Sequence, residues 1–227
     1  MADIETDKIV YNVGRERIND FILSLRSDEN KDLLKLKKYA FENDVPIIKD
    51  DTRDFLKTLL NIKKPSKILE LGTAIAYSTI ILYNECAEHL ESLVTIENFE
   101  KRIVVAKENI DKYLDKNKVK LIEGDIGEYL KQNSEKERFD FIFLDAAKAQ
   151  YIIWFPYIKK MLNKDGILVA DNIFKDGEVI ESKWLIEKRD RTIHKRMREF
   201  LHTIMRDEQL HTEIFNLGDG ISVSIKK

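Results

Sequence analysis

The apolar positions change rhythm once along the chain. Over the first third they recur at helical spacing. Ile18, Phe21, Ile22 and Leu25 mark one amphipathic stretch, and Leu33, Leu34, Leu36, Tyr39 and Ala40 mark a second. The segment NDVPI interrupts this pattern, because Pro46 disfavours helix at Val45. A third helix is predicted from about Asp51 to Ile62, ending before Pro65.

From Lys67 short apolar runs alternate with helical segments. KILEL is followed by a helix from about Tyr77, SLVTIE by a helix through Asn109, and VKLIEGD by a short helix near Glu128 to Lys131. FDFIFLD, a helix through Met161, and GILVADN follow. Strands alternating with helices predict a parallel sheet covered by helices. A long helix from about Arg189 to Arg206 then precedes HTEIFNL and ISVSIKK, whose intervening GDG reads as a hairpin turn. The sheet is therefore expected to close with an antiparallel edge. With 8 glycines, 3 prolines and no linker or repeat, one domain is expected over residues 1–227, a helical cap (1–63) leading into an α/β core (64–227).

Composition narrows the partners. Of 227 residues, 43% are hydrophobic and 35% charged, with 39 basic against 41 acidic side chains, the balance of an ordinary globular chain. A net charge of −2 gives no global attraction to nucleic acid, so any such surface must be local. The single Cys86 excludes an intramolecular disulfide and any cysteine metal cluster. MADIETDKIV lacks the basic flank and apolar core of a secretory signal, and no apolar run approaches a membrane span; a cytoplasmic location is expected.

The candidate chemistry sits at strand ends. ILELGTAIAYS combines a strand, a tight turn at Gly72 and a helix start where Ser78 offers a hydroxyl. It has one glycine where a dinucleotide fingerprint has three, which disfavours a pyrophosphate cradle. The next strand ends in Glu97, whose carboxylate suits two ribose hydroxyls. The third ends in EGDI, placing Asp125 and the Ile126 backbone where an adenine could bond and pack, although Asp125 alone could equally cap a helix. A nucleoside site without a phosphate cradle points to S-adenosylmethionine, whose sulfonium would be favoured by Glu70, Glu97 and Asp145.

FIFLDAAKAQY drives Asp145 out of a wholly apolar strand, with Lys148 three residues on, and the next strand ends in Asp171 and Asn172. Two carboxylates and an amide oxygen form a hard, all-oxygen set suited to a divalent cation, with magnesium the default. Lys148 is then placed to take a substrate hydroxyl proton; as a surface charge opening a helix it would need no such role.

ELGTAIAYS, FDFIFLDAAK and VADN together resemble the cation-dependent O-methyltransferases of the catechol and caffeoyl-CoA type, from about Val45 to the C-terminus. The resemblance implies a Rossmann-like class I fold of seven strands with helices on both faces. It implies metal ligation by Asp145, Asp171 and Asn172, with Lys148 as base. It also implies donor contacts from the Val45 segment, Ser78, Glu97 and Asp125, and commonly a homodimer. Ala76 stands where the family commonly has glycine. Within the family, YAFENDVPI, DNIFKDGEVIE and LGDGISVSIKK are most similar to the enzymes that methylate 5-hydroxyuridine at the tRNA wobble position; the alternative acceptor is a small catechol or phenol.

A local basic run is compatible with tRNA. Lys183, Lys188, Arg189, Arg191, Lys195, Arg196 and Arg198 face only Glu187 and Asp190 over the same stretch, and Arg191, Lys195 and Arg198 recur on one helix face. A solvated face would look the same. Trp184 and Phe174 in the preceding loop could stack on a splayed base or line a pocket for a phenol. A silent adenosyl-ligand or RNA-binding module is the reading from a different class.

Overall fold

The computed structural model describes residues 15–25 and 30–227. The leader reading of residues 1–10 lies outside them. The first helices are α1 (Arg15–Ser24), α2 (Lys31–Glu42) and α3 (Asp50–Lys63). Asn30 caps α2 by accepting from the Asp32 N–H, and α3 ends where Lys64 turns left-handed (φ 49°) ahead of Pro65.

The core then runs β1 (Lys67–Leu71), α4 (Tyr77–Cys86), β2 (Ser92–Glu97), α5 (Glu100–Tyr113), β3 (Val119–Glu123), α6 (Ile126–Asn133) and β4 (Phe139–Leu144). It finishes with α7 (Tyr151–Met161), β5 (Leu162–Ala170), α8 (Arg191–Arg206), β6 (Leu210–Phe215) and β7 (Ile221–Lys226). The seven strands lie in the order β3-β2-β1-β4-β5-β7-β6, with the first five parallel and β7 antiparallel to both neighbours. This is the expected Rossmann-like sheet, with one refinement. The antiparallel hairpin closes the sheet as expected, and the structure adds its order: β7 lies inside and β6 at the edge. The reason is legible in burial, since Ile221, Ser222, Val223 and Ser224 are all buried whereas β6 alternates buried and exposed positions.

Apolar alternation along the strands feeds two cores. Ile68, Phe141, Phe143, Ile167 and Val169 face α2 to α5; Leu69, Leu71, Ile142, Leu144 and Leu168 face α6 to α8. Both faces of the central strands are therefore dry, which fixes their carboxyl ends as a rigid rim. Among the described residues, no helix is long and apolar enough to cross a membrane.

Candidate active site

The strand order reverses between β1 and β4, where an open parallel sheet places its ligand crevice. Here β1 and β4 nearly touch. Gly72 (φ 110°) leaves β1 so close to β4 that an added Cβ would stand 2.1 Å from the Asp145 carbonyl oxygen, so no side chain fits. The Asp145 N–H in turn donates to Leu71 O at 3.1 Å. Ala76, which opens α4, has φ 66°; the cost of alanine there is backbone conformation, about 1 kcal/mol, rather than the bulk of a methyl group.

A cavity of about 930 Å³ opens at this rim. Gly72, Glu97, Asp125, Ile126, Asp145, Lys148 and Asn172 line it, bringing together residues of five strand ends that the sequence singled out. The lining also includes Pro46, Ile47 and Lys49 from the cap, Phe99 and Arg102 at the start of α5, and Trp154 and Tyr157 from α7. Pro46 and Ile47 belong to the Val45 segment that the resemblance implied; sequence reading missed the others. The apolar α7 pattern announced a buried helix but not which aromatic would border a cavity. Trp154 approaches Gly127 so closely that a Cβ there would lie 2.9 Å from its indole nitrogen.

Four expected residues do not line the cavity. Val45 packs into the core while its neighbours Pro46 and Ile47 reach the rim. Ser78 is buried on the first turn of α4. Glu70 is fully buried beneath the rim, where its Oε2 accepts from Thr79 and from Thr95, its register partner on β2. Burial pushes its carboxyl up to about 7, against the opposing effect of the Ser78, Thr79 and Thr95 hydroxyls. Ser78 lies against the carboxyl, yet Oε1 has no hydrogen-bond partner among the described residues. Glu97 is held from below: Oε2 accepts from the Ala74 N–H at 2.9 Å, and Oε1 from Asn98 and Phe99 at 3.0 and 2.9 Å.

Asp171 is the fourth, buried at the end of β5 beside the lining residue Asn172. Its Oδ1 accepts from the Asn172 N–H at 2.7 Å, whereas Oδ2 is buried with no partner among the described residues. Burial first, then the nearby Asp145, raises its carboxyl; the Asn172 N–H and Lys148 oppose this. Asn172 is held at φ 53°, a left-handed conformation that aims its amide back across the rim. Lys148 closes the group, with Nζ 2.9 Å from Asn172 Oδ1 and 3.4 Å from Asp145 Oδ1.

Two buried carboxylate oxygens without partners, Glu70 Oε1 and Asp171 Oδ2, are costly unless a cation or donor completes them. The Asp171 oxygen, next to the lining residue Asn172, fits a hard cation, whereas Glu70 lies outside the cavity lining. Among the described residues no group of three or more His, Cys, Asp or Glu is placed to hold a metal. The candidate set instead comprises two acids, Asp145 and Asp171, and the Asn172 amide.

The basic run is partly consumed inside the fold, because helix α8 packs on the loop before it. Arg198 donates to Val179 O at 2.8 Å, Arg191 to Ile186 O at 3.1 Å and Arg196 to Ala149 O at 3.2 Å. Arg189 lies against Glu187 and Asp190. Lys188 and Lys195 are exposed. None of these side chains lines the cavity. Phe174 packs under Gly220, with an added Cβ only 2.3 Å from its ring, and joins the core. Trp184 is 73% exposed, with Lys183 Nζ 4.7 Å and the Arg191 guanidinium 6.0 Å from its ring centre.

A Rossmann-like sheet with a ligand crevice at its switch point, rimmed by acids, defines the methyltransferase class. The chain belongs to the O-methyltransferase family, whose model matches residues 24–227. It is 31% identical over 170 residues to a catechol O-methyltransferase of Niastella koreensis, covering 73% of this chain and 76% of that protein. The crystal structure of a candidate caffeoyl-CoA O-methyltransferase from Staphylococcus aureus superposes with a TM-score of 0.83 at 29% identity, covering 92% of this chain and 98% of that one. An SAH complex of a Bacillus cereus O-methyltransferase shares the fold at a TM-score of 0.78 and 24% identity, covering 92% and 97%.

Proposed function

We propose that this O-methyltransferase takes its methyl group from S-adenosylmethionine, uses a divalent cation held by Asp145, Asp171 and Asn172, and methylates 5-hydroxyuridine in tRNA. The observation that carries the catalytic part is the cluster at the β4 and β5 ends, where Lys148 spans Asp145 and Asn172 beside an unpartnered Asp171 oxygen. A sulfonium donor would supply an electrophilic methyl group, and a hard cation would supply a Lewis acid that acidifies a substrate hydroxyl. Lys148 is the side chain placed to hold the proton that leaves that hydroxyl. Glu97, fixed by three backbone N–H groups, presents a preset carboxylate to a ribose. Trp154, Phe99 and Ile126 offer apolar walls for a purine. With such a donor bound, the methyl carbon would pass from sulfur to the acceptor oxygen, leaving a neutral thioether, with Lys148 placed to take the proton released.

The tRNA part is supported by the exposed Trp184 with two cations close to its ring, a feature suited to base stacking, and by Lys188 and Lys195 exposed on the same stretch. The competing acceptor, a small catechol, is favoured by the likeness to the Niastella koreensis protein. A homodimer through the cap fits the exposure there of Phe21, Leu25, Phe41 and Ile62.

Methyl transfer from labelled S-adenosylmethionine separates these readings. The assay offers tRNA containing 5-hydroxyuridine and, separately, a catechol, each with magnesium and with chelator. Labelling of tRNA that chelator abolishes is expected. Labelling of catechol alone would replace the acceptor, and transfer unaffected by chelator would overturn the cation.

A further inference from the structure

We infer that Tyr151 is a positioning residue, whose hydroxyl sets the spacing of Asp145 and Asp171 and thereby the affinity for the divalent cation; this rests on the cation reading above. The ring is completely buried at the start of α7. Its hydroxyl sits among three backbone groups of the two strand ends. It accepts from the Ala146 N–H at 3.2 Å and lies 3.2 Å from both Leu144 O and Asp171 O, to which it donates. Those groups flank or belong to the two candidate ligands: Leu144 and Ala146 bracket Asp145, and the third is the carbonyl of Asp171 itself. One phenol oxygen thus ties the exit of β4 to the exit of β5.

The other direct backbone link there, Asp171 N–H to Leu144 O at 3.0 Å, leaves Ala146 and the Asp171 carbonyl for the phenol to hold. The ring itself packs in a T-shaped pair with Phe200 on α8, at 5.5 Å and 79°. Among the described residues the Tyr151 hydroxyl bonds to backbone groups alone, and not to a side chain of Asp145, Asp171 or Asn172. Its effect must therefore pass through their backbone, as outer partners of metal ligands commonly do.

The test is Mn²⁺ affinity of the intact protein, read as the free-ion electron paramagnetic resonance signal with no donor or acceptor present. Tyr151→Phe keeps the ring and removes the hydroxyl; its Mn²⁺ affinity is expected to fall about tenfold or more. Phe200→Leu loosens the packing against the ring and leaves the hydroxyl, so it should lower the melting temperature without moving the affinity. Equal affinity in Tyr151→Phe and wild type overturns the inference. So does an affinity loss in Phe200→Leu that matches its loss of stability, since that is general loosening. Wild type that takes up no Mn²⁺ removes the cation reading and the inference together, whereas the other outcomes leave that reading standing. A measurement on wild type alone covers the case of a poorly folded Tyr151→Phe. Magnesium should slow amide exchange at Ala146, and an unchanged rate there overturns the role.

Discussion

Asp140 and Asp145 stand at opposite ends of β4, and the sheet treats them in opposite ways. Asp140, at the amino end, is saturated: Oδ2 accepts from the Ser66 N–H, the Ser66 hydroxyl and the Lys67 N–H, each at 3.0 Å, and Oδ1 from Asn163 at 2.8 Å. Burial alone would raise this carboxyl, but the bonds from Asn163, Lys67 and Ser66 outweigh it and hold it below the usual range. At the carboxyl end, among the described residues, the Asp145 carboxylate meets only the long 3.4 Å contact with Lys148, and Asp171 and Glu70 each keep a buried oxygen without a partner. A carboxylate that braces a fold has its acceptors filled by the chain. One that serves a ligand is left incomplete, and the protein alone is less stable for it.

The sharpest break of this contrast is Asp171→Asn. Methyl transfer is expected to fall more than about 100-fold, because a direct ligand matters more than the outer partners that cost 10–100-fold. Stability to urea near pH 8 should meanwhile equal or exceed that of wild type, since a raised, buried carboxyl is removed. Full activity in this variant would end the distinction between the two ends.

Next in size is a pH effect. Glu70 rises from 4.5 in the open chain to about 7 when folded, so the native state holds a proton that the unfolded state has released across that window. Its contribution to stability is whole below about 4.5 and is lost as pH rises to about 7, by up to about 3 kcal/mol. Asp171 acts in the same direction. Glu70→Gln should therefore flatten the fall of ligand-free stability with pH, measured by urea unfolding from pH 4 to 8; an unchanged slope would mean that Glu70 is ionised in the fold.

Smallest is Asp140→Asn. It should cost about 1–3 kcal/mol by weakening bonds to a charged acceptor, with methyl transfer at the wild-type rate. Its sign with pH is opposite to that of Glu70. Asp140 stabilises the fold above its ordinary value of 3.8, and that contribution is lost as pH falls through its depressed folded value. A variant that kept stability but lost activity would invert the comparison.

Strand alternation and the acids at strand ends were legible locally. KILEL, SLVTIE and FDFIFL carry their own burial pattern, and a residue just past a strand's carboxyl end must lie at the rim. The stripe on α8 was legible only as a spacing, for the same local reason. Helical spacing places Arg191, Lys195 and Arg198 on one face, but only the loop packed against that face decides that Arg191 and Arg198 spend their donors on Ile186 and Val179. Glu70 was legible as an acid near the turn, but not that two threonines would bury it below the cavity floor.

By itself, the sequence determined the order of elements, the parallel sheet and the acids delivered to one end of it, because periodicity and chain direction are properties of consecutive residues. Tertiary structure alone decided which side chains share the cavity, which arginines are spent within the fold, and that a tyrosine hydroxyl joins two strand ends. Those facts depend on contacts between residues far apart in the chain, such as Lys148 with Asn172 and Tyr151 with Asp171, which form only when both faces of the sheet are packed.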